Sequence, residues 1–90
     1  MPAATGLNTG QVTLGTTATA IVPLNPTRTR LTIYNVGGTA AFLGGPTVSA
    51  TTGSSLAGSV GAAVTVNTAA AMYGIVGTGT NVVSYIEEVL

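Results

Sequence analysis

Short runs of β-branched and aliphatic residues, broken by Gly, Pro or Asn about every eight to twelve positions, constrain this chain more than any other feature. Seventeen threonines and 13 glycines are spread through the 90 residues. No Gly-free window of about eleven residues carries the i, i+3, i+4, i+7 apolar spacing of an amphipathic helix. A chain of this length also has room for only one small domain. The rhythm therefore predicts an all-β, jelly-roll-like single-domain β-sandwich, with strands near residues 11–14, 18–22, 28–36, 39–43, 47–50, 61–67, 72–76 and 81–89. Residues 1–9 hold only Leu7 as a large apolar side chain and show no alternation, which reads as an extended N-terminal arm ahead of a sandwich at 10–90. Residues 50–58, rich in Ser, Thr and Gly, read as an exposed loop.

The sharpest local signal is Tyr34-Asn35-Val36-Gly37-Gly38-Thr39. Two adjacent glycines can both take positive φ, as the tightest β-hairpin turns require. Such a hairpin would set Ile33 opposite Phe42 and make Leu31, Ile33 and Phe42 core residues. Arg28, Arg30, Thr32 and Tyr34 would then share the outer face.

Composition excludes much chemistry. The chain has no Cys or His, its charged side chains are Arg28, Arg30, Glu87 and Glu88, and its formal net charge is zero. A disulfide framework, a zinc site and a Ser-His-Asp triad are thus beyond one chain, and no metal or cofactor is expected. Adjacent in a strand, Glu87 and Glu88 point to opposite faces and do not converge as glycosidase carboxylates do; they read as a solvated terminus. Neither Gly44-Gly45-Pro46 nor Gly77-Thr78-Gly79-Thr80 is followed by the Lys of a phosphate-binding loop. So few cations offer little to nucleic acid. The apolar run at 69–76 is well short of the ~20 residues of a spanning helix. No catalytic residue, small-molecule substrate, nucleic acid or membrane partner is expected. Tyr34, Tyr73 and Tyr85 invite sugar stacking, although scattered tyrosines more often serve as core or rim.

Several stretches carry a resemblance. They are Arg28-Thr29-Arg30-Leu31-Thr32-Ile33-Tyr34-Asn35-Val36-Gly37, Ala41-Phe42-Leu43-Gly44, Val48-Ser49, Gly53 with Leu56, Met72-Tyr73-Gly74-Ile75, and Val82-Val83 leading to Glu87. Together they resemble the small β-sandwich decoration, or cement, proteins of tailed bacteriophages. The resemblance implies a homotrimer on the outer capsid surface of the virion, made in the host cytoplasm, that bridges neighbouring capsomers of the major capsid protein. A carbohydrate-recognising or shaft domain of a phage head or tail fibre is the alternative. A nearly uncharged surface suits burial against other chains, and the arm is the natural reach toward them, with Pro2, Ala3, Ala4, Thr5 and Leu7 as expected capsid contacts. Removal of residues 2–9 is accordingly expected to leave the sandwich folded.

Overall fold

The computed structural model describes residues 4–90. They form eight strands: β1 (Gly6–Leu14), β2 (Thr19–Val22), β3 (Arg28–Asn35), β4 (Ala41–Gly44), β5 (Ser54–Leu56), β6 (Ala63–Val66), β7 (Met72–Val76) and β8 (Asn81–Val89). One antiparallel sheet, sheet A, runs β1-β8-β3-β6, and the facing sheet B runs β2-β7-β4-β5. The pairings β1–β8, β2–β7, β3–β6 and β4–β5 are those of one long hairpin, which rolls up when β3 also pairs with β8 and β4 with β7. This is the jelly-roll arrangement of an all-β sandwich, as the sequence rhythm predicts.

Alternation along the strands places the core. On β3 the side chains of Leu31, Ile33 and Asn35 point inward, while Arg30, Thr32 and Tyr34 point outward. Leu14, Ile21, Val22, Ala41, Leu43, Leu56, Val76 and Val83 complete the buried apolar cluster with Leu31 and Ile33. Each large aliphatic side chain so buried contributes about 1.5–3 kcal/mol relative to exposure. Gly74 leaves room for this layer, since a Cβ there would lie 2.8 Å from Leu14 Cδ1 and 3.0 Å from Ile21 Cδ1.

The Gly37-Gly38 hairpin does not form. β3 and β4 lie in different sheets, so the glycines carry the chain across the end of the sandwich. Of these two glycines, only Gly38 has positive φ, at 84°. Gly37 is required by close approach instead, because a Cβ there would run into Asn81 Oδ1. The expected facing of Ile33 and Phe42 is therefore replaced. Ile33 opposes Tyr85 on β8 and Val64 on β6, whereas Phe42 opposes Ile75 on β7 and Ser55 on β5. Phe42 is half-buried on the outer side of sheet B, and its neighbours Ala41 and Leu43 take the core positions. A hairpin register fixes which residues of the second strand face in. A crossing between sheets removes that constraint, and β4 is out of phase with the hairpin expectation by one residue.

Two boundaries also differ. β1 starts at Gly6, and Gly6 to Thr9 pair in unbroken register with Val89 to Ile86, so residues 6–9 belong to sheet A and not to a detached arm. Residues 1–3 lie outside the described residues. The fifth strand is Ser54–Leu56, within the expected loop, while the expected strand at 47–50 is part of a turn. Val48 tucks its side chain between Gly44 and Gly53. The Ser49 hydroxyl lies within hydrogen-bond reach of both Thr51 Oγ1 and Thr52 Oγ1, an internal bonding pattern that competes with a strand ladder.

Candidate functional site

The buried polar side chains are Arg28, Asn35, Asn81 and Glu87, all on β3 and β8 and grouped at opposite ends of the sandwich. At one end a bulge between Arg28 and Arg30 breaks the alternation of β3 and turns Arg28 inward. Its Nε donates to Glu87 Oε2 at 2.7 Å, its Nη1 to the carbonyls of Thr68 and Ala70, and its Nη2 to that of Pro23. Asn8 Nδ2 donates to the other Glu87 oxygen at 2.8 Å. The guanidinium is thus occupied in tying β1, β3 and β8 to the β2–β3 and β6–β7 loops. Burial pushes the Glu87 carboxyl up, but hydrogen bonds from Asn8 and Arg28 and the Arg28 charge outweigh it and hold the carboxyl below its ordinary 4.5. The expected solvated terminus is corrected here: Glu87 is only 5% exposed.

Glu88 points to the other side, where its Oε2 lies 3.5 Å from Nε of the largely exposed Arg30. The two carboxylates therefore diverge, and Arg28 and Arg30 do not share a face. All four charged side chains are engaged in two ion pairs, one of them buried. The outer surface consequently carries almost no field with which to steer a charged ligand. Among the described residues no three of His, Cys, Asp and Glu come together as metal ligands.

At the opposite end, Asn35 Nδ2 donates to the carbonyls of Thr39 and Ala57, and Asn35 Oδ1 accepts from the Gly38 amide and from Asn81 Nδ2. Asn81 Oδ1 accepts from the Thr39 amide at 3.2 Å. This pair holds the Gly37-Gly38 crossing in place and leaves no free polar group for a ligand.

A shallow depression of about 350 Å³ lies on the outer face of sheet A, bordered by Thr9, Gly10, Gln11, Tyr34, Ser84, Tyr85 and Ile86. Register builds it. Gln11, Ser84 and Tyr34 face one another in a row across β1, β8 and β3, and Thr9, Ile86, Thr32 and Thr65 form the next row. On the outer face the lining offers the Tyr34 ring, hydroxyls and an amide, with no charge, and Tyr85 borders it with its side chain directed to the inner face. The tyrosines do not converge: Tyr85 turns inward over Gly10 and Tyr73 sits on the outer side of sheet B. Gln11 and Ser84 went unrecognised in the sequence because nothing in it reveals that β1 pairs with β8.

Of the expected contact residues, Pro2 and Ala3 lie outside the described residues, and Ala4 is half-buried. The Thr5 amide donates to the Val89 carbonyl at 2.9 Å, and Leu7 on the outer face of β1 is 67% exposed.

The fold and this sparsely charged surface define an eight-stranded jelly-roll module. No protein-family model matches the chain, and no curated protein matches it in sequence. Two solved structures share its backbone. The stem and receptor binding domain of the spike protein P1 from bacteriophage PM2 superposes with a TM-score of 0.66 over 88% of this chain and 32% of that one, at 18% identity. A chain in the structure of the entire lipid-containing bacteriophage PM2 superposes with a TM-score of 0.64 over 84% of this chain and 23% of that one, also at 18% identity. The likeness is one of fold, and this chain spans a third or less of each matched chain.

Proposed function

We propose that this chain is a non-enzymatic structural module of a bacteriophage virion, working in the spike or fibre apparatus on the particle exterior. The observation that carries the reading is the backbone correspondence, over 88% of the chain, with the stem and receptor binding domain of a phage spike protein. The surface agrees with it. With its charges paired, the module makes contacts through shape, apolar area and neutral hydrogen bonds, which suits a virion part that works at variable salt. The depression at Tyr34, Gln11 and Ser84 is the face proposed for a neutral polar receptor group such as a glycan: the ring stacks on a sugar face while the amide and hydroxyl bond its hydroxyls.

Decoration of the shell by many copies, bridging major capsid proteins as a homotrimer, is the second reading, and the sparse surface charge favours it as well. Quantitative mass spectrometry of purified virions separates the two. A few copies per vertex or tail support the spike reading, and hundreds of copies support decoration. Absence from the particle overturns both.

A further inference from the structure

The four sheet edges of this jelly roll are not equally guarded. Natural proteins blunt an exposed edge with shortness, bulges, proline or charge, because its free N–H and C=O groups otherwise template a further strand. β5 has three residues and β6 four. β2 has four residues, a register shift between Ala20 and Val22, and Pro23 directly after it. β1 has none of these devices. It runs nine residues in unbroken register with β8 and contains no proline and no charge. Among the described residues no strand lies on its other side.

We propose that β1 is a self-association edge, pairing antiparallel with β1 of a second copy of this chain. The occupant follows from the strand itself. A two-fold axis through Gly10 overlaps the whole of Gly6–Leu14 with its own copy, and this register keeps the inward residues of both copies on the same side. On the outer face it sets Thr9 against Gln11 of the second copy, and Leu7 against Thr13. With no charge on the strand, nothing repels across the axis, and the exposed Leu7 gains the methyl group of Thr13 as a neighbour. The result is one continuous eight-stranded sheet made of two copies of sheet A. Tight two-fold pairing of this kind yields dimers, in contrast to the three-fold assembly that the decoration-protein resemblance implies.

Thr9 and Gln11 are solvent-exposed in the single chain, so charges placed there leave the fold intact while reporting on the register. Sedimentation equilibrium of the purified chain is expected to show a reversible monomer–dimer equilibrium. T9K/Q11K, which sets Lys against Lys twice across the axis, should weaken the dimer by roughly tenfold or more. T9K/Q11E, which sets Lys against Glu, should restore it and make it sensitive to salt. Circular dichroism confirms that both variants are folded. Three results would overturn the proposal: a chain that stays monomeric at the highest attainable concentration, a trimer, or a dimer that neither variant alters.

Discussion

Nε of Arg28 and Oε2 of Glu87 stand 2.7 Å apart with both side chains withdrawn from solvent, one delivered by a bulge in β3 and the other by the regular alternation of β8. Half of the charge in this chain is therefore spent inside the sandwich wall. A buried ion is strongly destabilising when its partner is removed, even where the intact pair adds little over an apolar replacement. Arg28→Ala should cost about 3–5 kcal/mol in urea denaturation, and Arg28→Met with Glu87→Leu should cost clearly less than Arg28→Ala alone. A double variant as unstable as the single one would show that the guanidinium bonds to the loop carbonyls, and not the pair, carry the effect.

Because the Glu87 carboxyl lies below its ordinary value in the folded chain, folding favours its ionised form. Its contribution is fully present above the unfolded-state value of about 4.5 and is lost as pH falls through the lower folded value. Thermal unfolding followed from pH 7 to pH 3 should show a decline in Tm that begins near pH 4.5 and is much shallower in Glu87→Gln. A wild-type Tm that is flat to pH 3 would contradict this linkage.

The phase of β4 gives a test of the core. Leu43→Ala should cost about 2–5 kcal/mol, and Phe42→Ala less, although Phe is the larger side chain. Chemical denaturation midpoints for the two variants decide, and the reverse order would place Phe42 in the core.

At the crossing between sheets, Asn35→Ala strips partners from the Gly38 amide, the carbonyls of Thr39 and Ala57, and Asn81. Leaving buried polar groups without partners costs about 1–3 kcal/mol. Gly37→Ala should destabilise as well, since its methyl would have to displace the Asn81 amide. Hydrogen exchange at Gly38 and Thr39 is expected to speed up in both variants.

Much of this architecture is legible in the sequence because strand period and turn residues are local properties. The spans of β7 and β8, the inward placement of Leu31 and Ile33, and the sandwich class all follow from alternation within one strand. What the sequence does not reveal depends on which strands meet. The jelly-roll roll-up takes Gly37-Gly38 from hairpin to crossing, and the bulge at Arg28 reverses a parity that unbroken alternation makes look secure. Gly6 to Thr9, without apolar alternation, are strand residues because β8 is long enough to pair with them. For that reason removal of residues 2–9 should destabilise the sandwich, since it takes away four paired residues and the Asn8 bond to Glu87.

Cryo-electron microscopy of phage particles from the source of this chain tests the proposed spike role most directly. The account predicts the eight-stranded jelly roll inside a structure that protrudes from the particle at a vertex or tail. The same jelly roll spread over the shell between capsomers, or missing from the particle, would contradict it.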